Sequence, residues 1–193
     1  MNCVIFDLET TGFQGPREEI IQIAAVRMID GQVMPTDSFT TYVNPGASLS
    51  SFITAYTGIT DADVRHAPRP PEALREFSKF VGDSVLIAHN GHRFDIPVLR
   101  GSCLLHRLPT REIAYFDSLH LSWKVWGRRG QRHGMDHVIS RLQLDTATHR
   151  RHDARGDVAL LGMAVERMWR SVSTDFSQPP VKSYLGVLAE PPS

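Results

Sequence analysis

Cys3-Val4-Ile5-Phe6-Asp7-Leu8-Glu9-Thr10-Thr11-Gly12 opens with a β-branched and aromatic run that gives way to two carboxylates and a glycine break. Cys3 to Phe6 reads as a strand, and Gly12, Gly15 and Pro16 stop it. Successive side chains of a strand point to opposite faces, so Asp7 and Glu9 project from the same one. Two hard oxygen donors side by side suit Mg2+ or Mn2+ better than a soft metal, and a cation relieves their mutual repulsion. By itself, Asp-x-Glu is more simply a strand with an acidic edge facing water.

Outward from this strand, Glu19 to Met28 and Ser38 to Val43 read as two more, with Asp30-Gly31 as the hairpin turn between them. The three form an antiparallel meander. Between Ser51 and Val81 the spacing turns helical, with Leu74, Phe77, Phe80 and Val81 behind Pro70-Pro71; one short helix and one longer one fit there. Val85-Leu86-Ile87-Ala88 is a buried-strand type of run that leads into a helix over Asp95 to Leu105. A fifth strand is expected at Ile113 to Phe116, and helices at Ser118 to Trp126, Met135 to Leu142 and Ala154 to Arg170. The pattern predicts an α/β domain over residues 1–170, a five-stranded mixed sheet flanked by helices.

Ser171 to Ser193 loses periodicity, contains Pro179, Pro180, Pro191 and Pro192, and reads as a C-terminal tail of unknown role. Gln178, Val181 and Tyr184 fall at the spacing of a sliding-clamp-binding peptide, but Val181 and Leu185 depart from its usual residues; an unstructured end is the simpler reading.

The length of 193 residues allows one substantial core, not two ordinary domains. With 41% apolar and 22% charged residues the chain has the composition of a soluble globular protein. Its 21 basic and 21 acidic residues cancel, so any sign of a polyanionic partner must be local. Cys3 and Cys103 make no paired spacing, and no signal peptide or spanning helix is evident; a cytoplasmic protein with no membrane is expected.

Two further segments carry chemistry. Ala88-His89-Asn90-Gly91-His92-Arg93-Phe94-Asp95-Ile96-Pro97 follows a buried strand and enters a helix, a place where function collects. Asp95 suits the N-cap of that helix, which leaves His89 and Asn90 unexplained. His152-Asp153-Ala154-Arg155-Gly156-Asp157 starts the last helix. Five residues of ideal helix separate two side chains by about 140° around the axis, so His152 and Asp157 converge only if His152 lies in the preceding loop. A histidine beside a reactive water serves as general base at neutral pH. The plainer alternative is one of nine histidines on a solvated helix start.

Phe6-Asp7-Leu8-Glu9-Thr10-Thr11-Gly12, the His89-Asn90 to Phe94-Asp95 segment and His152-x-Ala154-x-x-Asp157 resemble, in order, the three motifs of the DEDDh (DnaQ-like) 3′→5′ exonucleases. Thr57-Gly58-Ile59-Thr60 and Asp117-Ser118 look like that family's intervening signposts, so the resemblance spans about residues 3 to 170. In detail the motifs are more similar to the three-prime repair (TREX-type) exonucleases than to the proofreading subunit. The resemblance implies a ribonuclease-H-like fold and two divalent ions, Mg2+ or Mn2+, held by Asp7, Glu9 and Asp157, with Asp95 acting through water. It also implies His152 as general base, nucleoside 5′-monophosphates as products, and Leu8, Thr10, Thr11, Phe13, His89, Asn90 and Phe94 around the 3′ end. For Phe13 and Phe94 core packing is the plainer fate. Homodimers through an edge strand occur among such relatives and are possible here.

Between Ser118 and Met135 no acidic residue occurs, while Lys124, Arg128, Arg129, Arg132 and His133 do, with Gly127, Gly130 and Gly134 loosening the chain. Together with Trp123 and Trp126 this stretch is a candidate phosphate-binding path for DNA, with RNA as the alternative substrate. A catalytically silent nucleic-acid-binding module is a further alternative. Zinc binding by His133, His137, His149 and His152 is disfavoured, because their spacing fits no closed structural site.

Overall fold

The computed structural model describes residues 1–13, 15, 17–146 and 153–192. A six-stranded mixed sheet runs in the order β3-β2-β1-β4-β5-β6. The meander consists of β1 (Asn2–Thr10), β2 (Ile20–Ile29) and β3 (Gln32–Tyr42), with β1–β2 and β2–β3 antiparallel. Asp30 and Gly31 both take positive φ, 47° and 75°, which two-residue turns matched to the twist of a hairpin require. β4 (Val85–Ala88) lies parallel to β1, and β5 (Thr110–Asp117) parallel to β4. The ends of β1 and β4 therefore open on the same side of the sheet.

Helices cover both faces. α3 (Pro70–Val81) and α4 (Asp95–Leu105) bury Leu74, Phe77, Leu99 and Cys103 against Val4, Phe6 and Leu8 of β1. α5 (Ser118–Trp126), α6 (Met135–Leu142) and α7 (Ala154–Val172) bury Leu121, Val138, Leu161, Val165 and Trp169 against Cys3 and Ile5. Both faces of β1 are thus apolar until Asp7, and Asp7 and Glu9 continue the Cys3–Ile5 face, the one that α7 covers. Two short helices, α1 (Ser51–Thr57) and α2 (Asp61–Val64), and the turn between them pack Ile53, Val64 and Ile59 on Ile21.

The sixth strand corrects the expected count of five and the reading of residues 171–193 as a tail. Tyr184–Ala189 forms β6, antiparallel to β5 from Thr110↔Ala189 to Tyr115↔Tyr184. Gly186, Leu188 and Ala189 are buried, while Leu185 points out, so this edge strand has too few apolar positions to show its period. The clamp-peptide spacing is absorbed as well: Val181 packs against the core and Tyr184 stacks on Tyr115. Among the described residues no helix is long and apolar enough to cross a membrane.

Candidate active site

Three carboxylates converge where β1 ends. Oxygens of Asp7, Glu9 and Asp157 all lie within 4.8 Å of one another. Strand geometry supplies the first two. The third comes from the first turn of α7, which begins at Ala154 behind Asp153, whose side chain accepts from the Arg155 N–H. The start of α7 is fixed across the sheet by Gln22, a fully buried polar side chain on β2 whose backbone partner on β1 is Glu9. The Ala154 N–H donates to Gln22 Oε1 at 3.0 Å, and Gln22 Nε2 approaches Asp153 Oδ1 at 3.5 Å. One amide thus sets Asp157 opposite Glu9.

Asp95 lines the same pocket as the three carboxylates, together with Leu8, Phe13, Tyr56, His89, Asn90 and Phe94. It does not cap α4 as expected: the N-cap position is Phe94, and Asp95 is the first helical residue, 3% exposed. Burial, against the relief of its own N–H and that of Leu8, and with the Asp117 charge adding to it, pushes the Asp95 carboxyl up to about 7. Gly91 is required beside it, since a Cβ there would stand 2.5 Å from the Ala88 Cβ.

The loop that bears His89 and Asn90 is held by Asp117, the N-cap of α5, which is 1% exposed. Asp117 Oδ1 accepts from the N–H groups of Asn90 (2.8 Å) and Leu119 (2.9 Å), and Oδ2 from that of His92 (3.0 Å). Those bonds pin Asn90 in the left-handed region, φ 60°, at the rim of the acidic pocket. His89 is bonded through both ring nitrogens, Nε2–H donating to the His133 carbonyl at 2.8 Å and Nδ1 facing Ser118 Oγ at 2.9 Å. It lines the pocket while tying β4 to α5 and to the loop before α6.

Other expected contacts divide. Thr10 Oγ1 donates to the Gly12 carbonyl and Thr11 Oγ1 to Glu18, so both hydroxyls serve the β1–β2 turn. Phe94 is partly buried against the core. Phe13 is not core: it is 52% exposed and meets Phe52 and Tyr56 edge-on, at centroid distances of 5.9 and 5.0 Å. Phe52 and Tyr56, one turn apart on α1, went unread in the sequence; two aromatics lying off the apolar Ile53 side of a short helix were the available signal. In the basic loop, Arg128, Arg129 and Arg132 are exposed, and Lys124 Nζ donates to the Pro180 carbonyl at 2.8 Å. His133 spends its ring on Ser122 Oγ and the Gly127 carbonyl, which removes it from any metal set. His149 and His152 lie outside the described residues.

The donor set is all oxygen and tightly spaced, which fits a hard divalent cation. Residues 4–162 match the RNase_T exonuclease family model. The chain is 39% identical over 169 residues to the DNA polymerase III subunit epsilon-like protein of Rhodobacter capsulatus, covering 87% of this chain and 24% of that protein. It is 36% identical over 159 residues to the PolC-type DNA polymerase III of Streptococcus sanguinis, covering 82% of this chain and 10% of that protein. The chain therefore spans a quarter or less of these curated relatives. Among solved structures, the nuclease domain of 3′hExo, a DEDDh family member, bound to rAMP, superposes with a TM-score of 0.76 at 20% identity, covering 90% of this chain and 94% of that one.

Proposed function

Because the chain belongs to the RNase_T exonuclease family, DnaQ-like in fold, we propose that it is a metal-dependent 3′→5′ exonuclease of the DEDDh type that trims DNA to nucleoside 5′-monophosphates. The observation that carries this reading is the convergence of Asp7, Glu9 and Asp157 within 4.8 Å. Asp7, Glu9 and Asp157 would hold two divalent ions, Mg2+ or Mn2+, with Asp95 behind them; such ions stabilise charge on the attacking and leaving oxygens of an in-line displacement. The protein's own residues do the rest. His152 takes the proton from the attacking water, which its sequence place ahead of Asp157 supports. Leu8 and Asn90 border the terminal nucleotide, and Phe13 with Tyr56 offers aromatic surface to its base. The Asn90 to Asp95 interval supports the three-prime repair type.

Arg128, Arg129 and Arg132 neutralise phosphates along the strand, which favours a flexible polyanion over a small substrate. A homodimer would form through β3, an edge of the sheet. The buried, unpaired thiols of Cys3 and Cys103 suit a reducing cytoplasm.

The test uses matched single-stranded DNA, duplex DNA and RNA oligonucleotides labelled at the 5′ end, incubated with Mg2+ or Mn2+ and with EDTA. The expected result is a ladder that shortens from the 3′ end on DNA and disappears with EDTA. A ladder on RNA alone would replace DNA as substrate, and no ladder on any of them would leave a binding module.

A further inference from the structure

A line of rings leads from the Asn90 loop through α5 to the start of β6. His92 lies 4.9 Å from Tyr184, Tyr184 6.0 Å from His120, and His120 4.6 Å from Trp123, centroid to centroid. Two rings carry a cation: the Arg128 guanidinium sits 4.6 Å from the Trp123 centroid, and Lys182 Nζ 5.1 Å from that of Tyr184. Ring faces covered in this way are not open platforms for bases. They hold two long cationic side chains in place and so reduce the ordering cost of binding an anion.

The segment that bears Lys182 is itself fixed, because Lys124 Nζ holds the Pro180 carbonyl and Tyr184 pairs with Tyr115 at the end of β5. No acidic residue occurs between Ser118 and Met135 or between Phe176 and Ala189. Asp117, the N-cap of α5, is buried and bonded to three backbone N–H groups. Two of those belong to Asn90 and His92, so the same carboxylate joins the line of rings to the rim of the acidic pocket. Lys182 and Tyr184 lie beyond residue 162, where the family match ends.

We propose that Lys182 and Arg128 form a second DNA-binding subsite, which grips backbone phosphates of the substrate several nucleotides 5′ of the end held in the acidic pocket. The proposal rests on the nuclease reading above. Its consequence is a dependence on length: a strand too short to reach the subsite gains nothing from it.

The test measures affinity by fluorescence anisotropy in Ca2+ at several salt concentrations, for oligothymidylates of about 4 and about 20 nucleotides, lengths that bracket single-strand site sizes. Lys182→Ala should weaken binding of the longer strand about three- to tenfold at low salt and flatten the slope of log affinity on log salt by roughly 0.7. Binding of the short strand should hold, and Lys182→Arg should restore the long-strand affinity. With a duplex carrying a 3′ overhang, flattening by roughly 0.9 would assign the gripped phosphates to the paired region and keep the subsite. Equal affinity and slope for wild type and Lys182→Ala, or equal loss on both lengths, would overturn it. If EDTA-sensitive cleavage persists in that case, only the subsite fails; if the wild type neither binds nor cleaves DNA, both readings fail.

Discussion

Asp95 is a carboxylate buried almost completely at the edge of the acidic cluster. With its carboxyl pushed up to about 7 from an ordinary 3.8, Asp95 keeps a proton in the folded state that the unfolded chain has released. The stability this contributes is fully present below pH 3.8 and is lost as pH rises through about 7. In EDTA, the wild-type melting temperature should therefore fall between pH 5 and pH 8, and Asp95→Asn should melt with a visibly flatter profile; superimposable profiles would remove Asp95 as the cause. His152→Ala, in contrast, should leave DNA affinity in Ca2+ near normal while lowering kcat by about 10²–10⁴. Near-normal turnover at neutral pH would mean that another group accepts the proton.

Asp95 was legible because a carboxylate standing between a buried strand and an apolar helix stands out, whereas His152 lies outside the described residues. Gln22 was not legible, and Asp117 stood out only as a signpost of the resemblance, without its role. Their importance lies in bonds to Ala154 and Asn90, 132 and 27 residues away, which no local spacing announces.

Among the elements, α7 was read almost to its observed end, because long periodic runs with clear breaks specify themselves, whereas β1 continues past the expected Phe6 to Thr10, since carboxylates do not announce a strand. β3 begins six residues before the expected Ser38, since Val33, Pro35 and Asp37 give no strand pattern on a partly exposed edge. β6 was missed for a related reason: an edge strand needs few apolar residues, and its partner β5 supplies the order. The joint between β2 and α7 depends on the Gln22 amide. Gln22→Leu keeps the volume but leaves the buried Ala154 N–H without its acceptor, a loss of about 1–3 kcal/mol by chemical denaturation. Metal affinity should drop with it, because the first turn of α7 loses its anchor to the strand bearing Glu9. A variant as stable as wild type and equally tight for Mn2+ would show that the helix start is held by other means.

Taken whole, the molecule gathers carboxylates that repel one another, so a bound cation should stabilise the entire fold. At a concentration about 100 times Kd, one divalent ion contributes about 2.7 kcal/mol, which for a chain of this length raises the melting temperature by about 5–10 °C. Mn2+ and Mg2+ should both produce the rise in wild type, and Asp7→Asn should abolish most of it; an identical rise in both proteins would place the metal elsewhere. The acidic cluster also joins two kinds of support. Asp7 and Glu9 stand on a strand that β2 pairs along its whole length and β4 pairs over Cys3–Ile5, whereas Asp157 stands one turn inside a helix end. Amide hydrogen exchange should register that asymmetry, slow along residues 4–8 and fast at 154–157, because helix ends open locally long before a central strand does. The site would then come apart from one side only, by the first turn of α7 swinging away from a fixed floor. Metal, by clasping Asp157 to that floor, should slow exchange at the helix start far more than along the strand, so that the cation acts as a latch on a single hinge.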